Sequence, residues 1–278
     1  MLYLTGPPFK AMYPLAAAAA VVFCLAATAV SGPSEDAGGG MTPAQWKAIA
    51  KKKIYFGHMS VGDNMVAGIQ EIVAAGGGRL QILKSGNAPG LRPATLVHSE
   101  IGHNKDAVAK INAFAKIIDG GLGKQVDIAL FKFCYVDFSA DTDLNYVFSC
   151  YLQKMGELER KYPKVKFAHV TVPLRSVQTG WKASVKKAIF LPVRGYADNI
   201  KRNEYNEMLR REYGGKGRLF DLAEIESTYT DGSRSKFMSR NTVYYSLAAD
   251  KSDDGGHLNS AGRKVVAEKF LIFLAGLK

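Results

Sequence analysis

Cysteine, tryptophan and acidic side chains are all scarce in this chain. Its 278 residues contain 3 Cys, 2 Trp and 5 His. Three cysteines, one of them Cys24 in an N-terminal apolar run, leave Cys134 and Cys150 as the only pair inside the main body. That pair is compatible with a disulfide in an oxidising compartment and equally with two buried thiols. The histidines His58, His98, His103 and His169 lack the ligand spacing of a zinc site, so no metal is expected. No Gly-Lys-Ser/Thr follows the glycine run at Gly76 to Gly78, which excludes a phosphate loop there and leaves a helix stop. No internal repeat is present, and no linker between Met41 and Lys278 is long enough to divide the chain.

Acid is short as well: 25 Asp+Glu stand against 37 Lys+Arg, a net charge of +12. The excess favours an anionic neighbourhood, such as an acidic polysaccharide, a cell-wall polymer or a lipid surface. Nucleic acid fits less well, because bases and acids interleave, as in Lys201-Arg202-Asn203-Glu204.

The first 40 residues differ from the rest. Lys10 is the only charge before Glu35, and an alanine-rich apolar run extends from Pro14 to Val30 with a small-x-small site at Ala27-Thr28-Ala29. Residues 1–31 therefore read as a signal peptide or an N-terminal anchor, and 32–45 as a flexible, Gly-rich linker. Phe23 before Cys24 is too bulky for a lipoprotein signal. Loss of residues 1–31 would remove Lys10 and no acid, taking +12 to +11. Export to a periplasm or beyond is the expected localisation.

From residue 46 on, short apolar runs alternate with helical periodicity. Strands are predicted at 54–57, 80–83, 126–135, 165–172 and 218–222. Helices are predicted at 61–75, 105–118, 143–161 and 197–213 and from Gly262 to the end. This alternation predicts a three-layer α/β/α sandwich around a parallel, five-stranded, flavodoxin-like sheet. Sites in such sheets form beyond the C-terminal ends of the strands.

Two stretches satisfy that rule. In Gly57-His58-Met59-Ser60-Val61-Gly62, Ser60 stands at a strand-to-helix junction, where it is either a helix N-cap or an exposed hydroxyl on a tight turn. In Asp254-Gly255-Gly256-His257, just before the last helix, a carboxylate can orient an imidazole and leave its other nitrogen free as a base. The same residues could instead simply cap the helix, with Asn259 or Ser260 as N-cap. Asp253 is a neighbouring alternative to Asp254.

A strand-end serine followed, 197 residues later (257 minus 60), by Asp-x-x-His before the last helix resembles the SGNH (GDSL-like) hydrolase superfamily. The resemblance covers about residues 53 to 276 and is to a divergent, exported bacterial branch. The family's Gly-Asp-Ser becomes Gly57-His58-Met59-Ser60, one residue longer, and its Gly-x-Asn-Asp is replaced by Phe133-Cys134-Tyr135-Val136-Asp137. The resemblance implies Ser60 as nucleophile, His257 as base and Asp254 as its orienter. It also implies an oxyanion hole, here assigned to the N–H groups of Ser60 and Gly102 with the Asn104 amide, Tyr135 being the reserve. His58, His103, Tyr135 and Arg175 are the expected substrate-binding residues. With no cofactor, the implied activity is carboxylic ester hydrolysis, acetylesterase-like. With the charge and the export signal, the expected substrate is an O-acetyl group on a small-molecule or polysaccharide ester, an anionic one included. An acyltransferase using the same triad and a catalytically silent carbohydrate-binding protein are the alternatives.

Overall fold

A computed structural model describes residues 40–277 apart from 88 and 190. The expected signal peptide or anchor at 1–31 lies outside the described residues. The expected linker ends earlier than residue 45. Thr42 caps the first helix, α1 (Pro43–Ile49), accepting from the Gln45 N–H at 3.3 Å while Gln45 Oε1 accepts from the Thr42 N–H at 2.8 Å. Pro43 fits the first turn, where its missing N–H would have had no helical partner.

The sheet has six parallel strands, not five: β1 (Lys53–His58), β2 (Gln81–Lys84), β3 (Thr95–Glu100), β4 (Ile128–Phe131), β5 (Lys166–Val170) and β6 (Leu219–Phe220). Their order is β2-β3-β1-β4-β5-β6. Without the edge strand β2, this is the flavodoxin-like order 2-1-3-4-5. The strand missing from the expectation is β3, Thr-Leu-Val-His-Ser-Glu, whose polar residues follow Pro93 closely and look like loop. Its His98 and Ser99 side chains are buried because neighbours satisfy them. Ser99 Oγ lies 2.8 Å from Tyr55 Oη, and His98 Nδ1 lies 2.8 Å from His58 Nε2.

Residues of β1 alternate between two cores. Ile54 and Phe56 pack against α2 (Val61–Ile72), α7 (Leu222–Ser227) and α8 (Ser260–Gly276), while Tyr55 faces α3 (Ala107–Asp119), α4 (Leu144–Lys161) and α6 (Tyr196–Tyr213). Each fully buried Leu, Ile or Phe on either side contributes about 1.5–3 kcal/mol. The helices α2 and α8 approach closely at Gly68, where a Cβ would come within 2.6 Å of the Arg263 carbonyl oxygen and 2.8 Å of Ala267 Cβ.

The chain forms further elements between β5 and α6 and between α7 and α8. The first connection carries α5 (Gly180–Ala188), and the second carries an antiparallel hairpin of β7 (Lys236–Ser239) and β8 (Thr242–Tyr245), turned by Arg240 and Asn241 at positive φ. Cys134 and Cys150 are both free thiols. Among the described residues, no helix is long and apolar enough to cross a membrane.

Candidate active site

The chain leaves β1 to build β2 and β3 on one side of it and β4 to β6 on the other, so the strand order reverses at β1. Ser60 lies two residues beyond that switch point, where ligand crevices form in open α/β sheets. Its backbone has φ 58° and ψ −110°, a strained conformation for a residue with a Cβ, and its side chain makes no capping hydrogen bond to α2. The N-cap alternative for Ser60 is therefore not what the structure shows. Ser60 Oγ instead lies 2.8 Å from His257 Nε2.

His257 is oriented from its other nitrogen. Its Nδ1 lies 2.6 Å from Asp254 Oδ2, while Asp254 Oδ1 accepts from the His257 N–H at 2.7 Å and the Gly256 N–H at 2.8 Å. The His257 N–H, the His257 ring and the Gly256 N–H together hold the Asp254 carboxyl well below the usual carboxylate range. An ionised Asp254 fixes the proton on Nδ1 and leaves Nε2 as an acceptor toward Ser60. Asp253 is engaged elsewhere, accepting from Asn259 Nδ2 at 3.2 Å. Asn259 is the N-cap of α8, accepting from the Gly262 N–H at 3.0 Å, and the Leu258 N–H donates to Asn64 Oδ1 of α2 at 3.1 Å. The histidine loop is thus tied directly to the helix that starts at the serine.

Gly102 occupies the equivalent place on the neighbouring strand. Because His58 pairs with Glu100 in register, residues 60 and 102 each lie two positions past adjacent strand ends, and the Ile101 N–H donates to the His58 carbonyl at 3.2 Å. Gly102 takes φ +57°, and a Cβ there would meet Lys110 at 3.0 Å. Asn104 is exposed, and its Oδ1 accepts from Lys110 Nζ at 3.1 Å, so the amide NH2 is the end left to donate.

Below this loop is a buried ion pair between Asp137 and Lys110. Asp137 Oδ2 accepts from Lys110 Nζ at 2.6 Å and from the Cys134 N–H at 2.7 Å, and Oδ1 accepts from the Lys105 N–H at 2.9 Å. Both side chains of the pair have no exposed surface. Asp137 does close its own turn, but it also joins the loops after β3 and β4. A carboxylate in the place of the absent Gly-x-Asn-Asp was the available signal.

Two of the expected substrate-binding histidines stand elsewhere. His58 is fully buried under the Ser60 turn, so it cannot touch a substrate. Burial, with Lys132, His98 and Lys84 adding to it, pushes its imidazole down to about 3, and it is neutral at physiological pH. Gly62 has no side chain because a Cβ would lie 2.3 Å from His58 Cβ. His103 is 73% exposed and lies 3.6 Å from Asp106, with no contact to Ser60 or His257. Tyr135 and Arg175 do reach the site. The Tyr135 ring meets the His257 ring edge-on at 5.9 Å between centroids, with the Arg175 guanidinium 5.1 Å from the Tyr135 ring. Arg175 Nε also donates to the Gly255 carbonyl at 3.3 Å.

No family model and no curated protein matches the sequence. Similar solved structures include a Streptococcus pneumonia protein provisionally described as a platelet activating factor, at 14% identity and TM-score 0.47, covering 83% of this chain and 91% of that one. A member of the lipolytic protein G-D-S-L family from Veillonella parvula aligns at 14% identity and TM-score 0.43, over 81% of this chain and 98% of its own. The periplasmic domain of a Salmonella ser. Paratyphi A lipopolysaccharide acetyltransferase aligns at 11% identity and TM-score 0.40, over 83% and 88%.

Proposed function

We propose that this chain is an exported serine ester hydrolase of the SGNH type that removes O-acetyl groups from an envelope or extracellular polysaccharide. The observation that carries the reading is the strained Ser60, whose hydroxyl is 2.8 Å from an imidazole oriented by Asp254. Backbone strain persists where surrounding structure enforces it, and a nucleophile is a common beneficiary.

In this mechanism His257 Nε2 takes the Ser60 proton as Oγ bonds to the acetyl carbon, and the carbonyl π pair moves onto oxygen. The N–H groups of Ser60 and Gly102 and the Asn104 amide are the donors for that oxyanion; each is worth about two to three orders of magnitude in rate. Collapse breaks the bond to the sugar oxygen, which leaves with the proton from His257. A water then attacks the acetyl-serine, giving a proton to His257, which passes it to the departing Ser60 Oγ as acetic acid is released and ionises in solvent. Asp254 stays ionised throughout.

The test is p-nitrophenol release from p-nitrophenyl acetate by the full chain, Ser60→Ala and His257→Ala, with labelling by a fluorophosphonate. Activity and labelling present in the parent and lost in both variants are expected. Equal background rates in all three, with no labelling of Ser60, would reject the hydrolase reading and favour a binding protein.

A further inference from the structure

Between Pro173 and Asp198 the chain carries five Lys and Arg residues and no Asp or Glu. This segment walls a cavity of about 650 Å³ on the Asp254 side of the triad, where Arg175, Lys186, Arg194 and Arg202 face Asp198 and Asp254.

The charges in that wall divide unequally. Asp254 is engaged by His257. Asp198 accepts from the Ala140 N–H at 3.0 Å and lies 3.8 Å from Arg202. Arg202 is 97% buried and its donors are filled: Nε to the Tyr135 carbonyl at 2.8 Å, one terminal nitrogen to Asn199 Oδ1 at 2.7 Å, the other to the Phe138 carbonyl at 3.2 Å. Asp198 therefore has Arg202 as its cation, and Asp254 is held by the His257 ring and by the His257 and Gly256 N–H groups. Lys186 has only a neutral partner, Gln178 Oε1 at 3.0 Å, and Arg175 spends one donor on the Gly255 carbonyl. Among the described residues neither Arg175, Lys186 nor Arg194 has a carboxylate within ion-pair distance. The cavity lining holds four cations, Arg175, Lys186, Arg194 and Arg202, against the two carboxylates Asp198 and Asp254, and three of those cations make no ion pair.

We infer that this cavity is an oxyanion subsite, which binds a carboxylate or phosphate carried by the substrate beside its ester. Arginine forks match both groups in two parallel hydrogen bonds, and the adjoining Lys186 adds a point charge. The assignment rests on the ester hydrolase reading for its place in turnover, but the binding itself does not need the chemistry. A neutral polysaccharide would leave three cations without a carboxylate partner; an acidic one supplies their counter-charge.

The test is isothermal titration of the full chain carrying Ser60→Ala with trigalacturonate, with neutral galactotriose and with glycerol 3-phosphate, at two salt concentrations. Trigalacturonate or glycerol 3-phosphate should bind at least about tenfold tighter than galactotriose, more weakly at the higher salt. Whichever of the two binds tighter assigns the carboxylate or the phosphate source. In Lys186→Gln/Arg194→Gln the preference should fall below about threefold. Equal binding of all three probes, no binding of either anion, or an anion preference retained in the double variant would each overturn the subsite. Fluorophosphonate labelling of the parent chain reports separately on the hydrolase: labelling without anion preference leaves the enzyme and removes the subsite, and the converse does the opposite.

Discussion

Replacing Asp254 by Asn separates the orienting role of this residue from its role in the loop. The Asn carbonyl oxygen can take the place of Oδ1 and keep the hydrogen bonds from the His257 and Gly256 N–H groups, at 2.7 and 2.8 Å in the parent. Its NH2 then faces His257 Nδ1, which must accept, and the ring proton moves to Nε2. There it points at Ser60 Oγ, and the imidazole can no longer take the serine proton. A positioned general base contributes about 10² to 10⁴ in rate. Asp254 is 57% exposed, so its direct electrostatic help to an imidazolium is screened, but the tautomer change is not. The expected loss in kcat on p-nitrophenyl acetate is therefore about 10³, or ~4 kcal/mol of barrier. Thermal unfolding, followed in parallel, should shift by no more than about 2 °C, because the loop bonds are retained. A kcat within tenfold of the parent, in a protein melting normally, would refute the assignment of Asp254 as orienter.

Three further outcomes follow from the geometry. Ser60→Gly should be more stable than Ser60→Ala by about 1 kcal/mol in urea, since glycine relieves about 1–3 kcal/mol of strain at φ 58° less its own entropic cost; equal midpoints would remove the strain claim. Burial, partly offset by the Leu174 N–H and by Lys132, pushes the Glu226 carboxyl up to about 8, so the folded state keeps a proton that the unfolded chain releases above about pH 4.5. The contribution of Glu226 to stability should be fully present below that pH and fall by up to about 1.4 kcal/mol per unit as pH rises toward 8, and Glu226→Gln should remove that component of the slope in urea titrations. Asp137→Ala leaves the fully buried Lys110 ammonium without its carboxylate, and should cost about 3–5 kcal/mol in the same assay.

The central strands and the long helices were legible because their signals are local. Apolar runs mark β1 and β4, and α4 starts where Asp143 offers a capping oxygen. The position of β3 was not legible, because its burial depends on partners far away in sequence: Tyr55 for Ser99 and His58 for His98. The same holds for His58, which looks like a pocket residue until the fold places Gly62 over it. Ser60, Asp254 and His257 could be picked out from spacing and a family resemblance, but the strain at Ser60 is a property of coordinates alone. The hairpin at Lys236–Tyr245 has a signal of its own, Arg240-Asn241 between two β-rich runs.

The close approach of α2 to α8 at Gly68 also sets the scale of the chemistry. Ser60 precedes the first residue of α2, and His257 lies three residues before α8 begins, so the proposed nucleophile and base ride on the ends of one helix pair. Their 2.8 Å separation is thus gauged by interhelical spacing and pinned by the Asn64–Leu258 hydrogen bond. Such a site behaves as a calliper. One bulky side chain at position 68, eight residues along the chain from Ser60, would open its jaws.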